Sequence, residues 1–142
     1  MTNLRFPCSG YATVGGVVFF ARMLDKIRLH AAGELPEDYN LGSGHDARMC
    51  RFLHIDYAAV SARARVETDD AVVLEWCFAQ GRRPSDDDIL YFNAFMTKRG
   101  WRDSGTAKLH ERLAEIGLPT GAVSTMFDFI DLDEGRPVKF EM

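Results

Sequence analysis

The sequence has few cysteines, and it contains no CxxC pair. Cys8, Cys50 and Cys77 are odd in number and far apart in the chain, which disfavours both a disulfide framework and a structural zinc site of the usual spacing. Free thiols of this kind are typical of proteins in a reducing compartment. We therefore predict three free cysteines and a cytoplasmic protein.

The sequence also lacks an excess of positive charge, because 17 Lys and Arg residues face 21 Asp and Glu residues, for a formal net charge of −4. Nucleic-acid binding needs clustered Lys and Arg that replace counterions, so we predict no nucleic-acid partner. The apolar run Val14–Ala21 is too short to span a bilayer. It also lies too deep, and is followed by too many charges, for a signal peptide. We therefore predict no membrane partner.

Motifs of nucleophilic and nucleotide chemistry are absent as well: there is no G-x-S-x-G, no P-loop and no G-x-G-x-x-G. No run alternates apolar and polar residues over five or more positions, so we predict no strand. What remains is helical periodicity, interrupted by capping residues and by Gly and Pro. The predicted fold class is all-α, with about six or seven helices packed around a central, largely buried first helix.

A length of 142 residues predicts a single domain. We expect an irregular N-terminal segment over residues 1–13, one helical domain over 14–136 and a loose tail over 137–142. The first helix is predicted from Val14 to Ala32, with Gly33 ending it, and a long loop follows over residues 33–44. Ser85 is predicted to cap a helix, and the last helix is predicted from Thr120 to Leu132.

The first predicted helix is apolar on nearly every side, yet it carries Arg22, Asp25, Lys26 and Arg28. One interpretation is a ligand pocket, in which Arg22 and Lys26 hold a carboxylate or phosphate and Asp25 orients Arg22 or acts as a base. The other interpretation is structural, because buried charges are usually paired with charges on neighbouring elements. The residue types alone fit both interpretations.

Two other groups of residues are of types that bind metal ions. His45–Asp46 is a weak metal signal as a single dipeptide, and a capping role at the start of a short helix fits it better. Asp86, Asp87 and Asp88 follow Ser85 at a helix N-terminus, where negative charge is favoured by the helix dipole. We therefore predict no metal site, and the sequence leaves the identity of any cofactor unknown.

Several segments together resemble a bacterial family described only as domain of unknown function 5069. They are Gly15-Gly16, "ARMLDKIR", Gly33, Tyr39, "DARMCRFLHID" and "FDFIDLDEGR". The resemblance extends from about Pro7 to Arg136, and "NLGSGH" before Asp46 departs from the family pattern. It implies a small helical cytoplasmic protein of no assigned activity. It also implies that the charges of the first helix are a family feature.

Three functions stay open from the sequence. The first is a non-enzymatic module that binds a small anionic ligand or a protein partner. Its site would comprise charges of the first helix and residues of the following loop and helix: Arg22, Asp25, Lys26, Arg28, Tyr39, Asp46 and Arg48. The second is an acid–base enzyme with Asp25 or His45 as the base. The third is a protein whose charges are structural and whose function lies on a partner surface or in a homo-oligomer.

Overall fold

The structure, a computed structural model, describes residues 3–139. These residues form seven helices and one short hairpin, which confirms the predicted all-α class. In chain order the elements are β1 (Thr13–Val14), β2 (Val17–Val18), α1 (Phe20–Ala31), α2 (His45–Leu53), α3 (Tyr57–Ala64), α4 (Asp70–Gln80), α5 (Asp86–Lys98), α6 (Thr106–Glu115) and α7 (Met126–Asp133). No helix of residues 3–139 has the length and apolar character that crossing a bilayer requires.

The prediction of no strand was wrong, and the first helix begins six residues later than expected. Residues 13–18 form an antiparallel hairpin in which Thr13 pairs with Val18. Gly15 and Gly16 both have positive φ, of 55° and 79°, as the two central residues of a tight hairpin turn require. The sequence signal was Gly-Gly between two valine-containing pairs, which helical periodicity concealed.

Helix α1 is central to the part of the chain that precedes Asn93. Its side chains Phe20, Met23 and Leu24 are fully buried, and it packs against β1, α3 and α4. Gly33, with a φ of 73°, follows its end as predicted, and an irregular segment then leads to α2. The prediction of a largely buried first helix is therefore confirmed, and within the first unit this helix is central.

Helix caps agree with the sequence at α5 and differ at α7. The Ser85 hydroxyl accepts the N–H of Asp88 at 3.0 Å, and the Asp88 carboxylate accepts the N–H of Ser85 at 2.9 Å. This reciprocal pair stabilises the start of α5. The last helix begins at Met126 rather than at Thr120, because the Thr125 hydroxyl caps it by accepting the N–H of Asp128.

The chain divides into two compact units between Phe92 and Asn93. The boundary lies within α5, so the first unit contains β1, β2 and α1–α4 and the second contains α6 and α7. The core of the second unit is formed by Leu109, Leu113, Val123 and Phe129. The single domain over 14–136 stays a prediction. Within the predicted tail, Val138 packs against this core, and residues 140–142 lie outside the described residues.

Candidate functional site

Lys26 and Asp46 form a buried ion pair between α1 and the first turn of α2. The Lys26 Nζ lies 2.8 Å from the Asp46 Oδ1, and their side chains are 7% and 0% exposed. Lys26 also donates to the carbonyl of Asn40 at 3.2 Å, and Asp46 Oδ2 accepts the N–H of Gly42 at 3.0 Å. The pair therefore holds both helices and the loop that joins them.

Arg22 and Asp25 hold the backbone of the N-terminal segment. The Asp25 Oδ2 accepts the N–H of Cys8 at 3.0 Å, and the Arg22 Nη1 donates to the carbonyl of the same residue at 3.1 Å. Burial and the negative charge of Asp25 raise the pKa of Cys8 to about 12, so its thiol stays protonated. These two charges fix the backbone of Cys8, on both sides of its Cα, against α1.

Arg28 points to another part of the first unit. Its Nε donates to the carbonyl of Ala64 at 3.0 Å, its Nη2 donates to the carbonyl of Glu67 at 2.7 Å, and its Nη1 pairs with the carboxylate of Asp70. The end of a helix leaves carbonyls without a partner inside the helix. Arg28 satisfies one of these in α3 and joins α3 to the start of α4.

The remaining predicted residues lie near the start of α1, in contact with Arg22 or with Phe19 and its neighbours. The Arg22 guanidinium lies 5.8 Å from the ring centroid of Tyr39. His45 packs edge-on against Phe19 at 5.3 Å, and the Arg48 Nη1 lies 3.4 Å from the His45 Nδ1. The structure thus brings the predicted residues of the loop and of α2 to the same side of α1, whereas Arg28 lies apart from them.

Phe19 is a residue of this region that sequence reasoning missed. It immediately precedes α1 with a φ of 70°, in the left-handed region that non-glycine residues rarely occupy, and it is 2% exposed. The Lys26 Nζ lies 5.5 Å from its ring centroid. The hairpin and its packing hold Phe19 in this strained conformation, so no local sequence pattern predicts the strain.

A groove opens elsewhere in the first unit, among α2, α3 and α4. It is open to solvent and has a volume of about 680 Å³, which lies within the range of small-molecule sites. Its lining includes polar, aromatic and ionisable side chains: Cys50, Arg51, His54, Tyr57, Trp76 and Gln80. Sequence reasoning assigned Trp76 to the core or an interface and did not select the other five as site residues.

The walls of the groove are held by a close approach between the ends of α2 and α4. The N–H of Arg82 donates to the carbonyl of Leu53 at 2.9 Å, and its Nε donates to the carbonyl of Phe52 at 2.7 Å. A Cβ at Gly81 would lie 2.0 Å from the carbonyl oxygen of Leu53, so only glycine fits. Glycine thus serves here to let two backbones meet.

Two groups of the groove are neutral near pH 7. Burial, together with the negative charge of Asp46, raises the pKa of Tyr57 to about 12 and the pKa of Cys50 to about 11. The Tyr57 hydroxyl is therefore available as a hydrogen-bond donor. Residues 3–139 hold no group of three or more His, Cys, Asp or Glu side chains placed to share a metal ion.

The comparison with known families supports the resemblance inferred from the residues. The model of a domain of unknown function (DUF5069) matches residues 4–136. The chain belongs to this family. Its description assigns no activity, so the function is not established by membership. No curated protein matches the chain by sequence.

Proposed function

We propose that this member of the family is a non-enzymatic helical module that binds a small anionic ligand in the groove among α2, α3 and α4. The observation that carries the proposal is the lining of the groove. Two side chains able to bear positive charge, Arg51 and His54, line the same space as the aromatic residues Tyr57 and Trp76. A ligand with an anionic group and an apolar ring would satisfy both kinds of wall.

Arg51 is suited to the anionic end of such a ligand. Its side chain is exposed, and within residues 3–139 its guanidinium takes part in no hydrogen bond or ion pair. An arginine fork binds carboxylate or phosphate through two parallel hydrogen bonds. Asp56 also lines the groove, so a ligand that carries an N–H donor beside its anionic group is favoured.

The charges of α1 have a structural role in this proposal. Lys26 and Arg28 pair with carboxylates of this chain, and Arg22 and Asp25 bind the backbone carbonyl and N–H of Cys8. The site predicted from the sequence, with its seven residues, stays a prediction, as does acid–base catalysis by Asp25 or His45. The proposal also includes a cytoplasmic location, because all three cysteines are free thiols.

The proposal is tested by NMR titration of backbone amides with phenyl phosphate and, separately, with inorganic phosphate. We expect phenyl phosphate to bind more tightly, because Trp76 and Tyr57 contact its ring, and to shift amides of residues that line the groove. Arg51→Gln should weaken binding about tenfold or more, since a charge-assisted hydrogen bond is lost.

The matched control is Arg112→Gln, which removes an exposed arginine that does not line the groove. It should leave the dissociation constant unchanged. Shifts confined to α1 and the loop before α2, or equal loss of binding in both variants, would contradict the proposal. So would the absence of any shift with either compound at millimolar concentration.

A further inference from the structure

Helix α5 presents an apolar face to solvent. Leu90, Tyr91 and Phe95 are 62%, 66% and 47% exposed, and Ala94 lies exposed between them. At about 100° per residue these four positions lie on one side of the helix. Met96 lies on the opposite side and is fully buried. The outward side of α5 is thus as apolar as a side that normally packs against protein.

Charges of opposite sign flank this apolar stripe. Asp87 lies at its N-terminal end and Lys98 at its C-terminal end, and both side chains are exposed. Within residues 3–139 neither makes a side-chain hydrogen bond or an ion pair. We define the α5 face as the six outward residues together: Asp87, Leu90, Tyr91, Ala94, Phe95 and Lys98.

The α5 face is symmetric about the midpoint between Phe92 and Asn93. Asp87 and Lys98 lie equally far from that point along the helix, as do Leu90 and Phe95, and as do Tyr91 and Ala94. A two-fold axis through the midpoint would therefore place acid opposite base and apolar side chain opposite apolar side chain. A surface that is complementary to itself in this way is what an isologous dimer requires.

We propose that the α5 face binds the α5 face of a second copy of this chain, with the two helices antiparallel. Leu90 then packs against Phe95 of the partner subunit, and Tyr91 packs against the partner subunit's Ala94. Asp87 pairs with the partner's Lys98 at each end. Antiparallel packing also sets the positive end of one helix dipole beside the negative end of the other.

The charge pattern selects a second copy over an unrelated partner. An unrelated helix could cover the stripe, but nothing would require its charges to mirror Asp87 and Lys98. A helix of 13 residues is about 20 Å long. Its face is smaller than a standard interface of about 800 Å² per partner, so the dimer is expected to be weak and reversible.

The test is sedimentation velocity of the full chain over a concentration series from about 1 to about 500 μM, which spans the affinity expected of a small interface. The wild type should show a reversible monomer–dimer equilibrium. Leu90→Glu and Tyr91→Lys should each raise the dissociation constant at least about tenfold, because they bury charge against apolar side chains. The control is Val66→Glu, at a site that is 79% exposed and outside the α5 face, and it should change nothing.

A charge exchange tests the antiparallel arrangement. Asp87→Lys and Lys98→Asp should each weaken the dimer, because like charges then meet across the axis, and the double variant should restore it. A wild type that stays monomeric throughout overturns the proposal. A dimer that persists in both Leu90→Glu and Tyr91→Lys, or that the double exchange fails to restore, overturns it equally.

Discussion

Replacing Lys26 by methionine removes the ammonium of the buried ion pair and keeps most of the side-chain length. The Asp46 carboxylate, which is 0% exposed, then loses the cation 2.8 Å from its Oδ1. The carbonyl of Asn40 loses the donor at 3.2 Å. Water cannot readily replace either, because the site is enclosed by α1, α2 and the loop between them.

The expected cost follows from the uncompensated charge. Removing one partner of a buried ion pair destabilises a protein by about 3–5 kcal/mol. For a chain of this length each 1 kcal/mol lowers the melting temperature by about 3 °C, so we expect a decrease of about 9–15 °C. Adding Asp46→Asn removes the unpaired buried carboxylate charge. The free energy of unfolding of the double variant should therefore be at least about 1 kcal/mol higher than that of Lys26→Met.

Urea denaturation followed by tryptophan fluorescence measures both variants. Lys108→Met is the control, because the Lys108–Glu111 pair is solvent-exposed, at 54% and 60% side-chain exposure. This substitution should cost about 0.5 kcal/mol or less. The structural role of the pair is refuted if Lys26→Met costs less than about 1 kcal/mol, which is the loss of a single neutral hydrogen bond. It is also refuted if inorganic phosphate stabilises the wild type but not Lys26→Met, which would identify Lys26 as a ligand group.

Two further predictions concern the first unit. Gly81→Ala should lower the free energy of unfolding, measured by urea denaturation, by about 1–3 kcal/mol, because the new Cβ would clash with the Leu53 carbonyl. The control is Gly121→Ala, which has open space around it and should be neutral. Equal costs of the two substitutions would contradict the close approach of Gly81 to Leu53. Burial raises the pKa of Cys77 to about 12, so its thiol stays protonated at pH 8. Iodoacetamide should label Cys77 only as the protein unfolds, and rapid labelling of the native protein, detected by mass spectrometry, would contradict that burial.

Local signals in the sequence were sufficient for the all-α class and for the start of α5. The cap of α5 by Ser85 follows from side-chain chemistry within a few residues, which is why it was predictable. The hairpin before α1 was missed, because short valine pairs fit a helical pattern as well as a strand. The start of α7 was missed because Thr120 and Thr125 are both plausible caps by residue type.

The candidate groove could not be predicted in the same way. Its lining comes from three helices, and Arg51 and Trp76 are 25 positions apart in the sequence. Their proximity depends on how α2 and α4 pack, which no local pattern encodes. The close contact of Gly81 with the Leu53 carbonyl is equally invisible before the helices are placed, since glycine at a helix end has a simpler local explanation.

The sequence by itself determined that this chain is helical, that it belongs to its family, and that charges stand among the apolar residues of α1. These properties depend on periodicity and composition, which are local. Only the tertiary structure decided which groups those charges contact: the backbone of Cys8, the Asp46 carboxylate and the end of α3. The reason is physical, because a charge becomes structural or available according to the groups that folding brings within a few ångströms of it.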